Sequence, residues 1–222
     1  MFTHFANNWF HYTMLAWLPT YFTDTLSVDL MHAAQTALLP PLAGIAASAV
    51  AGPTADALVT RGLPTGVVRK LAQCTAFLVP SAFLIMACTP EIADSTVLTV
   101  ASITLALGIS SFSLAGLYCT HQDLSPKYAP AMLGLTNTVG AIPGIIGVST
   151  VGWIFDETES WELALFAPSA FFMIVGAIVY TMHCRNERVD FDVSELNRPF
   201  AFEKSLPAIN FPVMPPWPFN KD

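Results

Sequence analysis

Two groups of polar side chains stand out because of the apolar sequence around them. His4, Asn8 and His11 recur at i, i+4 and i+7, with Asn7 and Tyr12 beside them, so one helix face is polar. Ser110, Ser111, Ser113, Tyr118, Thr120 and His121 make the second group. Both lie in stretches that contain no Asp, Glu, Lys or Arg, positions 2–23 and 95–122. A polar group in apolar surroundings costs free energy unless partnered, so these faces point into a helix bundle or a wet cavity. The chemistry on offer is that of neutral hydrogen-bond donors and imidazoles. The five histidines (His4, His11, His32, His121, His183) form no HxxxH or HExxH box, so neither a metal site nor a membrane enzyme is expected, and no catalytic residue is assigned. Cys74, Cys88, Cys119 and Cys184 show no CxxC spacing and serve as small apolar residues.

The elements that carry these groups follow from composition. Of 222 residues, 54% are hydrophobic and 11% charged, against about a quarter charged in a soluble domain. Windows free of Asp, Glu, Lys and Arg cover 2–23, 30–55, 71–90, 95–122, 128–155 and 163–184. A hydrocarbon core of about 30 Å takes roughly 20 helical residues, so each window is long enough to span. The expected fold is an all-α membrane protein with six transmembrane helices, spans 1 to 6.

Charge placement orients the spans. The loops after spans 1, 3 and 5 hold Asp24, Asp29, Glu91, Asp94, Asp156, Glu157, Glu159 and Glu162 and no basic residue. All nine basic residues (Arg61, Arg69, Lys70, Lys127, Arg185, Arg188, Arg198, Lys204, Lys221) lie in the loops after spans 2 and 4 or in the tail. Lys and Arg mark the side that is not translocated, which puts both termini there and no Lys or Arg inside a span. The net charge of −7 therefore carries little information about partners, and no nucleic acid is expected among them.

Spans 3 and 6 are plain aliphatic and Phe, as in Phe171-Phe172-Met173-Ile174-Val175, and suit lipid contact. Spans 2 and 5 are rich in small residues, with Gly44, Ser48 and Gly52 one turn apart, then Gly140 and Gly144. Such spacing lets helix backbones approach closely. Prolines 19, 40, 41, 80 and 143 interrupt the spans, as transporter helices tolerate. Gly52-Pro-Thr-Ala-Asp56 echoes Gly152-Trp-Ile-Phe-Asp156, and Asp24 closes span 1 as Asp123 closes span 4, a faint repeat of three helices. Residues 1–184 form the membrane domain. Residues 185–222 hold six prolines between Pro199 and Pro218 and are expected to be a disordered, Pro-rich tail.

Two stretches are specific. Gly52-Pro-Thr-Ala-Asp56-Ala-Leu-Val-Thr-Arg61-Gly62, followed by Arg69-Lys70, resembles the G-x-x-x-D…R-G signature between the second and third helices of a major facilitator half. Ser110 to Ala129, with His121-Gln-Asp123-Leu-Ser-Pro-Lys127-Tyr-Ala inside it, then Gly134-Leu-Thr-Asn137-Thr-Val-Gly140-Ala, join His4-Phe-Ala-Asn7-Asn8-Trp-Phe-His11-Tyr12-Thr and Trp17-Leu-Pro-Thr-Tyr-Phe22. Together they resemble the plastid branch of the anion:cation symporters, the chloroplast phosphate and organic-anion transporters, over roughly 2–184. The resemblance implies that spans 1 to 6 match helices seven to twelve of a twelve-helix transporter, with seven and ten lining the substrate path and eight and eleven facing the other half.

What the resemblance implies for individual residues follows. The substrate path comprises Asn7, Asn8, His11, Tyr12, Ser113, Tyr118, His121 and Asn137, with span 1 and span 4 facing one another across a polar cavity. A charge latch comprises Gly52, Asp56, Arg61, Arg69, Asp123 and Lys127. Asn7 stands where the glutamate-carrying branch has Arg, which disfavours an acidic amino acid. The expected function is transport of an anion, above all phosphate, coupled to Na⁺ or H⁺ by alternating access, in the chloroplast envelope or thylakoid membrane. No cofactor beyond the coupling ion is called for. The partners are a small anion, the lipid bilayer and an N-terminal six-helix half absent from this sequence, against which the glycine faces of spans 2 and 5 would pack. The alternative is a half-protein that does not transport alone.

Overall fold

A computed structural model describes residues 1–26 and 30–184; the Pro-rich tail and Asp29 lie outside the described residues. Among those residues every regular element is helical. They are α1 (Phe2–Leu26), α2 (Leu30–Thr36), α3 (Leu39–Thr60), α4 (Thr65–Ala87), α5 (Pro90–Ala93), α6 (Thr96–Ser110), α7 (Leu117–Leu124), α8 (Ala129–Thr158) and α9 (Ala167–His183). A 3₁₀ turn over Ser111–Leu114 separates α6 from α7, and a π turn over Glu162–Phe166 leads into α9.

Five helical runs are long and apolar enough to cross a membrane: Met31–Thr60, Thr65–Ala87, Thr96–Leu124, Ala129–Thr158 and Glu162–His183. They are spans 2 to 6. Span 1 is α1, whose 25 residues reach about 37 Å at 1.5 Å per residue. Its polar stripe leaves it less apolar than the others, and it is sheltered by protein: Phe10, Met14 and Phe22 are fully buried, and the helix packs mainly on α8 and α9. The structure starts span 3 earlier than its charge-free window, at Thr65. Arg69 and Lys70 therefore sit inside a helix and not in a loop.

The main helix contacts are α1 with α8 and α9, α4 with α6 and α9, and α3 with α6. In span numbers these pairs are 1·5, 1·6, 3·4, 3·6 and 2·4. Exchanging spans 1–3 with spans 4–6 leaves the set unchanged, as two equivalent three-helix repeats require. The faint echo in the sequence has this contact pattern behind it.

Aromatic packing closes one end of the bundle. Trp161 lies 5.8 Å from Trp17, 5.9 Å from Tyr21 and 4.0 Å, stacked, from Phe155, joining spans 1, 5 and 6. At the other end Arg69 pairs with Asp123, and Thr120 bonds Tyr180, joining spans 3, 4 and 6. Gly62 takes φ 94°, a left-handed conformation that favours glycine, and reverses the chain between α3 and α4. The Arg-Gly pair of the signature thus has a structural component.

Burial corrects the expectation that spans 3 and 6 face lipid. They are among the more buried spans and pack on each other, whereas α3 and α8 are the least buried. Gly176 of α9 shows why: an added Cβ would lie 2.7 Å from the fully buried Phe77 of α4 and 3.0 Å from Ala6 of α1.

Gly176→Ala is expected to destabilise the bundle by about 1–3 kcal/mol through overpacking, read as a lower thermal midpoint in detergent; an unchanged midpoint would contradict this packing. For topology, Asp94→Cys and Arg61→Cys, each with the native cysteines replaced, should label from opposite membrane faces with an impermeant maleimide. Labelling from one face would refute the orientation.

Candidate functional site

The centre of the site is a helix break. A membrane-spanning helix satisfies its own backbone, and interrupting it frees N–H and C=O groups that lipid cannot satisfy. Between α6 and α7 the 3₁₀ turn ends at Gly116, with φ −94° and ψ −94°. Two side chains of α4, one turn apart, take up the freed groups. Leu117 N–H donates to Gln73 Oε1 at 2.9 Å, and Arg69 Nη1 donates to the Ala115 carbonyl at 3.0 Å. Gln73 is fully buried, and a Cβ on Gly116 would come within 2.8 Å of its Oε1 and 2.9 Å of its backbone nitrogen. Glycine is required there by close approach.

Arg69 also donates through Nε to Asp123 Oδ2 at 2.6 Å and through Nη2 to Oδ1 at 3.4 Å. Its side chain is 14% exposed and that of Asp123 35%. Of the six candidate latch residues the structure brings these two together. Asp56 and Arg61 are exposed and form no ion pair among the described residues. Lys127 is exposed, its Nζ 5.3 Å from the Tyr128 ring centroid. Gly52 has open space where a Cβ would be.

The path candidates divide among the described residues into separate groups. One set is a buried network between α1, α7 and α8. Asn7 donates to Asn8 Oδ1 at 3.2 Å, and Asn8 donates to the Gly140 carbonyl at 2.9 Å. His4 is fully buried, its ring edge-on to Tyr118 at 5.2 Å and 6.5 Å from His121. His121 reaches Thr136 Oγ1 at 3.0 Å. The second set is His11 with Ser110, at 3.2 Å. Tyr12 is 38% exposed and Ser113 3% exposed, and among the described residues no side-chain hydrogen bond joins either to these networks. Ser113 turns inward because it lies in the 3₁₀ turn, where the helical phase changes. Asn137 is exposed on α8 and makes no hydrogen bond among the described residues.

A cleft of about 660 Å³ opens beside His11 and Tyr12, bounded by α1, α2, α3, α6 and the 3₁₀ turn. Ser48 and Ser111 add its other polar groups, and the rest of the lining is apolar. A second recess of about 460 Å³ continues past Tyr12 to Gly144 and Ile145 of α8.

The glycines of span 5 do not await an outside helix. A Cβ at Gly140 would lie 2.8 Å from Asn8 Nδ2; at Gly144, 3.2 Å from Tyr12; at Gly147, 3.2 Å from Trp9; at Gly152, 2.9 Å from Trp17. All four make room for α1. Gly44 of span 2 likewise admits Ser111, whose Oγ would be 3.1 Å from a Cβ. Large polar and aromatic side chains on α1 need a facing backbone without side chains, and the sequence supplies it within the same bundle. Gln73 was missed in the sequence because span 3 read as plainly aliphatic; a lone amide in that run was the available signal.

The comparisons with known proteins agree over most of the chain. Probable anion transporter 6, chloroplastic, of Arabidopsis thaliana is 46% identical over 187 residues, 84% of this chain and 36% of that protein. Probable anion transporter 5, chloroplastic, of Oryza sativa is 44% identical over 195 residues, 88% of this chain and 41% of that protein. The chloroplastic sodium-dependent phosphate transport protein 1 of Arabidopsis thaliana is 32% identical over 186 residues, 84% of this chain and 35% of that protein. Over these residues the chain is similar to chloroplastic anion transporters. It is a multi-pass integral membrane protein of the chloroplast. No family model matches it. The chain spans about two fifths or less of the length of these curated relatives.

Arg69 joins an ionic contact to a backbone repair, and its planar fork serves Asp123 and Ala115 together. Lysine has a single charged nitrogen and cannot reproduce that fork. A double-mutant cycle with Arg69→Gln and Asp123→Asn should give a coupling of about 0.5–3 kcal/mol, and Arg69→Lys should restore little of the lost stability. Additive single effects would separate the two residues.

Proposed function

We propose that this six-helix bundle is one half of an alternating-access transporter of major facilitator type, moving a small anion such as phosphate. The observation that carries the reading is the one-sided cleft: polar side chains of α1 and of the broken fourth span flank an apolar-walled space beside the least buried helices, α3 and α8. Alternating access places substrate between two such bundles, often at discontinuous helices. The interchange symmetry of the helix contacts supports the fold type, and the relatives' names support the substrate class. A second six-helix bundle would cover the cleft, and either H⁺ or Na⁺ would couple. An enzymatic reading has no comparable support, because the relatives carry transporter names.

The test is radiolabelled phosphate uptake into proteoliposomes. They would hold the 222-residue chain alone, or paired with the portion of the Arabidopsis anion transporter 6 that it does not match. Saturable uptake is expected from the pair and not from the chain alone. Asn8→Ala and Tyr118→Phe should each lower the pair's uptake while leaving the thermal midpoint within a few degrees. Equal uptake by the chain alone, or unaltered kinetics in both variants, would refute the proposal.

A further inference from the structure

Both ring nitrogens of His11 face acceptors. Nδ1 lies 2.8 Å from the Asn7 carbonyl, which can only accept. Nε2 lies 3.2 Å from Ser110 Oγ, and that hydroxyl donates its single hydrogen to the Leu107 carbonyl at 2.6 Å. A neutral imidazole has one N–H and cannot make both bonds while Ser110 donates to Leu107; an imidazolium makes both. Turning the Ser110 hydroxyl toward Nε2 satisfies the neutral ring instead, at the loss of the Leu107 bond. One hydroxyl rotation therefore suits the site to either protonation state.

We propose that His11 is a reversible proton-binding site of the transport path, protonated when a small oxyanion occupies the adjoining cleft and neutral when it is empty. The proposal rests on the anion-transport reading above and names its coupling ion as H⁺. Among the described residues the cleft has no Lys or Arg in its lining, and an anion entering apolar surroundings needs a compensating charge. His11 is the described lining residue that can supply one. Among the described residues α2, α3 and α6 contribute no charged or titratable side chain to the cleft, and Tyr12 of α1 is the other titratable group in its lining. Binding linkage is reciprocal, so the factor by which the proton tightens the anion is the factor by which the anion tightens the proton. The sign is an upward shift of the His11 titration midpoint on anion binding.

His121 provides an internal comparison. Its Nδ1 faces the Tyr118 carbonyl at 3.3 Å, and its Nε2 faces Thr136 Oγ1, whose hydroxyl donates to Leu133. It borders a different recess, formed by α1, α7, α8 and α9, and should not respond to an anion in the cleft.

The test is nuclear magnetic resonance of the full chain carrying ¹⁵N-labelled imidazoles, reconstituted with the partner segment used above. Spectra would be recorded from about pH 4 to 9, a range that brackets ordinary histidine titration, with and without inorganic phosphate. His11→Gln assigns the resonance. Saturating phosphate should raise the His11 midpoint by about one pH unit, a tenfold linkage, and leave His121 in place. Ser110→Ala should lower the His11 midpoint. An imidazole held in one protonation state throughout would overturn the proposal. So would an unmoved midpoint while phosphate perturbs other cleft resonances. If His11 titrates and phosphate perturbs nothing, the anion reading falls and the proton site stands.

Discussion

Lipid offers no hydrogen bonds, and the architecture of this bundle turns on how one interruption of the fourth span is made tolerable under that constraint. Breaking the helix at Gly116 leaves the Ala115 carbonyl and the Leu117 N–H without their usual partners. Arg69 and Gln73 of α4 meet both groups, and Arg69 then anchors Asp123 at the far end of α7. Three contacts fix where α7 starts, how it is rotated and where it stops. The positions of Tyr118 and His121 follow, because both ride on this eight-residue helix. A continuous helix would have placed the same side chains by a different phase, since the 3₁₀ turn advances the chain by three residues per turn rather than 3.6.

The second dependency runs between α1 and α8. An amphipathic membrane helix with histidines, asparagines and tryptophans on it is costly against lipid and cheap against protein that accommodates it. Accommodation here means glycine. Four glycines on α8 lie under Asn8, Tyr12, Trp9 and Trp17, and the bare backbone at Gly140 also supplies the carbonyl that Asn8 needs. Close approach and hydrogen bonding are thus the same event. The corresponding contact in the other repeat is α3 with α6, where a Cβ on Gly108 would lie 3.0 Å from the Ala43 methyl. The two repeats solve one packing problem with small residues at matching interfaces.

Much of this was legible in the sequence, and the failures have identifiable causes. Charge-free windows locate spans because charges are expensive in lipid, but they locate them only to the nearest charge. Arg69 was assigned to a loop because a window ends at a basic residue, whereas a helix begins where its backbone can, at Thr65 after Pro64. The latch expected from the resemblance holds both Asp56 and Asp123; the structure pairs Arg69 with Asp123, 54 residues away, because α4 and α7 are neighbours in space. Glycine spacing on spans 2 and 5 pointed to close packing against the other half; Gly44, Gly140 and Gly144 instead pack within this bundle, and Gly52 faces open space. Ser113 and Asn137 were placed by periodicity, which fails across a change of helix type and is blind to which side of a bundle stays open.

The helix break also bears on the hydrogen bonds around Ser110 and His11. In an unbroken helix the Leu107 carbonyl would accept the N–H of Ser111, four residues on. Here the chain tightens at the end of α6, and the Ser111 N–H turns to Gly108 instead. That leaves Leu107 with an unclaimed carbonyl, one of the orphan acceptors found at any helix end. Ser110 Oγ takes it, and in doing so presents only lone pairs to His11 Nε2. Ser81, Ser149 and Thr13 make the same back-bond within unbroken helices, so the acceptor that His11 meets comes from a hydroxyl's ordinary place on a helix, and the interruption sets only where that helix ends.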